Sequence, residues 1–264
     1  MKTIESVAQP SQELVKFRSL LKEDEMLQKF TFNEEYLAFF LRLMKYDHKK
    51  AMEYLVQHIS VIRSVPNAFQ WSDKMRKVLE CDLHVVSKSR CLDGSGLIFF
   101  RPKQWKPREL NMIDVIRTSL VAIYSEILSD EMIQEKGFHS IIDSSGTTFS
   151  HVFAIRLSDI KCFSTIGNHS SPNMIKRNIH IYTHRVIEFG HSLMKPFLSS
   201  ESYESFTFYG KDLTEFYQRY PKTCLPPDFG GTFTDEYTVD ERLAKFEKYR
   251  NILEPFWNRI AVEE

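Results

Sequence analysis

Asn178-Ile179-His180-Ile181-Tyr182, followed at once by Thr183-His184-Arg185-Val186-Ile187-Glu188-Phe189, changes its hydrophobic period in the middle. In the first five residues isoleucine alternates with polar or aromatic residues, which puts Ile179 and Ile181 on one face of a strand and His180 on the other. After Arg185 the apolar positions Val186, Phe189, Leu193, Met194 and Phe197 fall at intervals of 3, 4, 1 and 3, one face of a helix, with Glu188, His191 and Lys195 elsewhere. Pro196 cannot donate to the helical ladder and is expected to kink or end it. A strand feeding directly into a helix is the repeating unit of an α/β layer.

The same alternation recurs on both sides of this stretch. Strand-like runs at Leu83–Val86, Leu97–Arg101, Phe138–Ile142 and Phe206–Tyr209 are separated by helical stretches at about 109–135, 151–166, 185–204 and 211–219. Asp93-Gly94-Ser95-Gly96 predicts a hairpin between the first two strands, because Asp-Gly readily takes the positive φ of such turns. The sheet is therefore expected to be mixed. The helix from about Glu109 is apolar on two sides, with Ile113, Ile116, Leu120, Ile123 and Ile127 in one stripe and Met112, Val115, Ser119 and Ala122 in another, so it is expected to be buried on both.

Further out, the first quarter reads as three short amphipathic helices carrying Leu14, Phe17, Leu20 and Leu21, then Leu37, Phe40, Leu41 and Met44, then Ala51, Leu55, His58, Ile59 and Ile62. Asn33 before Glu34 and Glu35 predicts a capped N-terminus, and Pro66-Asn67 punctuates the end, with a boundary near residues 64–75. From about Asp235 a helical pattern returns through Leu243, Phe246, Leu253, Trp257 and Ile260. The reading is an α/β fold in three parts: helices over 1–70, a mixed sheet flanked by helices over 71–232, and a C-terminal helical tail over 233–264.

A chain of 264 residues can bury a sizeable core. Its 35 Lys and Arg balance 35 Asp and Glu, which argues against binding nucleic acid through the whole surface. Charged residues interrupt every long apolar run, so no bilayer span is expected. Lys2, Glu5, Gln9, Pro10 and Glu13 leave no apolar stretch for a signal peptide. The expected address is the cytosol. Cys81, Cys91, Cys162 and Cys224 show neither paired nor zinc-like spacing and read as reduced packing thiols.

The chemistry-bearing motifs of α/β enzymes are missing: there is no phosphate loop, no G-x-G-x-x-G, no G-x-S-x-G and no H-E-x-x-H. His180 and His184, and His184 and His191, stand four and seven apart, but His180 lies in a strand and neither pair has a carboxylate or thiol at supporting spacing. They read as packing or surface histidines. Asp143 at a strand end is expected to cap the Ser144-Ser145-Gly146 turn. No enzyme activity, metal or cofactor is implied.

Lys195-Pro196-Phe197-Leu198, then Gly210, then Leu225-Pro226-Pro227-Asp228-Phe229-Gly230-Gly231 resemble in order and spacing the CRAL-TRIO lipid-binding family. Phe40–Ala51, Arg101–Trp105 with Pro107, Ile142-Asp143 with Gly146 and His151, and Arg177 with Ile179-His180 agree, so the resemblance covers about residues 33–232. In character it is nearest to the tocopherol- and retinaldehyde-carrying branch. The resemblance implies a sheet forming the floor of an apolar cavity, closed by a mobile lid helix, in a monomeric carrier that takes a tocopherol-, retinoid- or phospholipid-like molecule between membranes by transient peripheral contact. It assigns Ile116, Ser119, Leu120, Ile123, Ser140, Ile142, Phe153, Ile155, Phe163, Ile166, Ile179 and Ile181 to the cavity wall, with Ser119 and Ser140 as polar anchors, and Val186, Phe189, Leu193, Met194 and Phe197 to the lid.

Departures from the family pattern stand at Trp105-Lys106-Pro107, Thr183-His184-Arg185 and Tyr209-Gly210, and are expected to weaken the caps around the lid. At the positions that match the family's phosphoinositide cleft, Lys176 and Arg177 are basic, but Met44 and Ser199–Ser205 lack the expected cations, which implies weak binding of phosphatidylinositol bisphosphate. The alternative reading is a module of the same fold that docks on a membrane or protein without transferring cargo.

Overall fold

The computed structural model describes residues 12–169 and 175–262, so the stretch from Lys2 to Pro10 lies outside the described residues. The chain divides into two compact units between Val56 and Gln57. The first contains α1 (Gln12–Glu23), α2 (Glu34–Leu43) and the beginning of α3 (His48–Ser64). α1 buries Leu14, Phe17 and Leu21, the spacing of one helical face. α2 buries Tyr36, Leu37 and Phe40, and Asn33 caps it, its side-chain oxygen accepting from Glu35 N at 2.8 Å.

The second unit follows in the order α4 (Lys74–Glu80), β1 (His84–Arg90), β2 (Gly96–Phe100), α5 (Met112–Ser129), α6 (Glu131–Lys136), β3 (Phe138–Asp143), α7 (Phe149–Ala154), α8 (Leu157–His169), β4 (Ile175–Ile181), α9 (Arg185–Met194), α10 (Ser200–Glu204), β5 (Phe206–Phe208), α11 (Thr214–Arg219) and α12 (Val239–Val262). The five strands lie in sequence order, β1 antiparallel to β2 and every later pair parallel, each parallel step bridged by helices. Gly94 sits at φ +87° in the hairpin, and Asp93 Oδ1 accepts from Ser95 N at 2.9 Å, so both halves of the Asp-Gly signal are used.

Register divides the sheet residues into two sets. Leu97, Phe99, Ile141, Ile179 and Ile181 share one face, and all are at most 1% exposed. They pack with Leu213, Phe216, Tyr220, Leu225 and Phe229, and the rings of Phe99 and Phe229 are 4.7 Å apart. Gly230, left-handed at φ +77°, turns the chain after Phe229, and any Cβ on Gly231 would overlap the Leu225 carbonyl. Arg101 clamps this turn from the sheet, donating from Nε and Nη2 to the Asp228 carboxylate at 2.6 and 3.3 Å. The opposite face carries Ile98, Phe100, Ser140, Ile142, Asn178, His180, Phe206 and Phe208.

Three long helical stretches of the sequence are each interrupted. The stretch over 109–135 becomes α5 and α6, because Asp130 leaves the helical region and its carboxylate accepts from Met132 N at 2.8 Å, starting a new helix. That over 151–166 becomes α7 and α8, with Asp159 Oδ2 accepting from Arg156 N at 2.9 Å at the junction. Pro196 breaks the one over 185–204: α9 ends in a 3-10 turn at Lys195–Phe197 before α10. The first strand runs to Arg90, beyond the expected Val86. α12 packs Trp257 edge-on against Phe69 and Tyr124, with ring centroids 5.1 and 5.3 Å away. No helix among the described residues is long and apolar enough to cross a membrane.

Candidate functional site

On the helix-covered face, polar groups stand among apolar ones. Ser140 and Ile142 are buried there, as are Ile116, Leu120 and Ile123 of α5, while Ser119, Ile155 and Ile166 are half-buried. Phe100 packs with Met112, Ala154 and Ile155 around Trp105 and Val115, which ties this face to the start of α5 and the end of α7.

α9 is fastened near both ends by polar contacts. His184 Nε2 lies 3.0 Å from Ser144 O, and Thr183 donates from N and Oγ1 to Tyr209 O at 2.9 and 2.8 Å. At the far end Asn168 of α8 donates from Nδ2 to Phe197 O at 3.3 Å, while its Oδ1 accepts from Ser202 Oγ at 2.7 Å and Ser199 N at 3.2 Å. His184, the N-cap residue of α9, makes no capping bond to the helix itself, in line with the weakened cap expected at Thr183-His184-Arg185, and is held at Ser144 instead.

Beneath α9 runs an aromatic seam. His180 meets Ser144 Oγ through Nδ1 at 3.1 Å and stacks on Phe208 at 5.2 Å, while His191 of α9 sits 4.9 and 4.8 Å from Phe206 and Phe208 and 5.1 Å from Tyr203. Burial and then the neighbouring His191 push the His180 imidazole down to about 3, and burial with Lys195 nearby lowers His191, so the seam is uncharged at neutral pH. Asp143 is buried at the end of β3. Burial raises its carboxyl, but hydrogen bonds from Ser145 and the Lys103 ammonium at 3.2 Å outweigh that and hold it below its ordinary value. This is the capping role read from the sequence.

The outer side of α9 is apolar and open. Phe189 meets Phe149 and Phe153 of α7 at 5.9 and 6.0 Å, and those two rings stack at 6.0 Å. The three rings are 38, 49 and 70% exposed, and Leu193 is also exposed. A Cβ on Gly190 would meet Val152 of α7 at 3.4 Å, an ordinary packing distance, so α9 and α7 lie side by side here without a glycine being required.

These positions redraw the expected site. Ile179 and Ile181 lie on the filled face, opposite Ser140 and Ile142, because residues one apart in a strand cannot share a face. Phe153 and Phe163 point outward rather than into a wall. Of the expected lid face, Phe189 and Leu193 are exposed and Val186, Met194 and Phe197 half-buried; the residues turned inward are Ile187 and His191. Lys176 and Arg177 are exposed on β4. Phe149, Ile187 and Asn168 have no site reading in the sequence, whereas His191 has the packing role read for it; the Phe149/Phe153 spacing of four is the one visible sign of a shared helical face.

In the second unit a mixed five-stranded sheet is filled on one side and covered on the other by helices, one of them held at both ends, an α/β architecture. The chain belongs to the CRAL/TRIO domain family, whose model matches residues 85–231. It is 26% identical over 203 residues to human "Alpha-tocopherol transfer protein-like", covering 76% of this chain and 59% of that protein. It is also 22% identical over 209 residues to Clavesin-1 of Xenopus laevis, covering 76% and 61%. The chain thus spans about three-fifths of the length of these relatives. A solved structure of Sfh5 superposes with a TM-score of 0.44 at 10% identity, covering 94% of this chain and 98% of that one.

Proposed function

We propose that the protein is a non-enzymatic carrier of one hydrophobic molecule, tocopherol-, retinoid- or phospholipid-like, loaded and released at a membrane surface. The 71–232 segment is the cargo-holding domain, flanked by the 1–70 helices and the 233–264 tail. The observation that carries the reading is the open aromatic triad Phe149, Phe153 and Phe189, shared by α7 and the tethered α9. Three exposed rings in mutual contact form an apolar patch of the kind that marks a membrane or partner surface rather than scattered exposure, and aromatic rings suit the bilayer interface. Membership of the family and likeness to a transfer protein-like relative support the cargo. Docking of the triad would pull on α9 and expose the face bearing Ser140 and Ile142.

In this reading the cavity wall comprises Ile116, Ser119, Leu120, Ile123, Ser140, Ile142, Ile155 and Ile166. Lys176 and Arg177 add a weak attraction for phosphoinositide head groups. The test is transfer of a fluorescent tocopherol or phospholipid analogue between vesicles by the Phe149→Asp/Phe153→Asp variant. Transfer falls at least about tenfold with folding retained, since each carboxylate placed in the interface opposes docking. Transfer at the wild-type rate would remove the triad from the mechanism.

A further inference from the structure

Two imidazoles that the carrier reading leaves without a part close the seam beneath α9. His180 approaches from β4, with Nδ1 3.1 Å from Ser144 Oγ and its ring stacked on Phe206 and Phe208 at 6.1 and 5.2 Å. His191 approaches from α9 onto the same two rings, at 4.9 and 4.8 Å, and onto Tyr203 of α10 at 5.1 Å. Its Nε2 is buried and has no hydrogen-bond partner among the described residues. Ile187 and His191 are the residues of α9 turned toward the sheet, so the middle of this helix rests on apolar contact and on an uncharged imidazole.

No carboxylate stands ready to receive a proton placed here. The titratable groups that act on the two rings are each other and Lys195 at the end of α9, whose ammonium lies 5.1 Å from the Tyr203 ring. In the turn after β3, Asp143 is taken up by Lys103 at 3.2 Å and by Ser145 N at 3.0 Å, and His184 at the start of α9 is bonded to Ser144 O at 3.0 Å. Glu188 of α9 and Glu201 and Glu204 of α10 are exposed. β5 contributes only the rings of Phe206 and Phe208. A proton on either imidazole therefore meets apolar surface, a second imidazole or an ammonium, and costs more in the closed arrangement than in water.

Lifting α9 removes that cost, because His191 leaves the rings with its helix and His180 is uncovered. Above about pH 6.5 both imidazoles are neutral in either arrangement, and the closed one keeps its full advantage. Below it the open arrangement takes up protons that the closed one refuses. For His180 alone this raises the open-to-closed ratio about tenfold between pH 7.5 and 5.5, and His191 acts in the same direction. We propose that the His180–His191 seam is a proton-operated latch on α9, so that acidity at the place of delivery sets when the cover opens. The latch rests on the carrier reading only for what the opening releases.

Hydrogen exchange of the Arg185–Met194 segment in the full chain, expressed as protection factors at pH 7.5 and 5.5, reads the latch without any cargo. Protection is expected to fall about tenfold or more in wild type and less than about threefold in His180→Phe/His191→Phe, whose rings fill the seam and do not titrate. β3 is the reference: it exchanges more slowly than α9, and it keeps a pH response in the double variant, from the buried His58, His84 and His139. His191→Lys, a permanent charge in the seam, lowers α9 protection already at pH 7.5. Melting temperatures at that pH check the folding of each variant. His191→Phe alone, which leaves His180 to titrate, falls between wild type and the double variant and stands in for the latter if it does not fold. Transfer of a fluorescent tocopherol analogue between vesicles adds the cargo, and is expected to be faster at pH 5.5 in wild type but not in the double variant. A pH response of α9 with no transfer at either pH keeps the latch and removes the carrier reading. Transfer with α9 protection flat in pH, α9 protection equal to that of β3 at both pH values, a response retained in the double variant, or an undisturbed α9 in His191→Lys would overturn the latch.

Discussion

On one face of the sheet Leu97, Phe99, Ile141, Ile179 and Ile181 pack with apolar and aromatic partners and the tight Leu225–Gly231 turn, with His139 bonded to the Tyr220 hydroxyl as a buried polar group on that face. On the other, Ser140, Asn178 and His180 stand among isoleucine and phenylalanine, under short helices held by a few hydrogen bonds at their ends. The same two-residue alternation builds both. One face has a fixed filling of interlocked side chains, while the other is closed by helices of which α9 is held by polar contacts at its ends and by Ile187 and His191 beneath it.

The largest effect is expected on the filled face. Ile179→Asp places an unpaired carboxylate in a fully packed core and costs at least about 4 kcal/mol, enough to unfold the second unit; urea denaturation followed by tryptophan fluorescence reads it. A cooperative transition with a near wild-type midpoint would mean the two faces are equally forgiving. By contrast Phe153→Asp, on an exposed ring of the open side, should leave stability within about 0.5 kcal/mol of wild type while weakening vesicle flotation.

Acid should act on both faces. His139 on the filled face, His84 on the other and His58 of α3 are buried, and burial is the first cause that lowers their imidazoles to about 4, 4 and 3. Above pH 6.5 these groups are neutral in folded and unfolded chains alike. Below it the unfolded chain takes up protons that the folded one refuses, so stability falls as pH drops from about 6.5 toward 4, by up to about 1.4 kcal/mol per pH unit for each histidine. Denaturation midpoints at pH 7, 6 and 5 check this; a flat profile would show that these imidazoles are solvated. The smallest effect belongs to the exposed pair Lys176 and Arg177: their double alanine variant should change binding to phosphoinositide vesicles less than about threefold, and a salt-sensitive loss of tenfold or more would restore a full anion cleft.

Much of this fold was legible because the period changes were sharp. Ile179 and Ile181 against His180, the Asp93-Gly94 turn, the Asn33 cap and the break at Pro196 each carry a local physical reason that tertiary structure did not override. The breaks at Asp130 and before Asp159 were harder, because a single carboxylate turning back on a backbone N–H leaves the hydrophobic pattern on either side intact. The site was less legible for a similar reason. Helical spacing shows that Val186, Phe189 and Leu193 share a face but not whether that face points inward, and Phe149 of α7 gains its meaning only from the packing of α9 beside α7. Ile179 and Ile181 were assigned with Ser140 and Ile142 although the strand register alone separates them.

Native mass spectrometry of the protein purified from several expression hosts, followed by solvent extraction, tests the carrier most directly. Wild type and Phe153→Asp are both expected to retain a stoichiometric hydrophobic molecule. Protein that is empty from every host, and that takes up no tocopherol, retinoid or phospholipid when these are supplied, would contradict it.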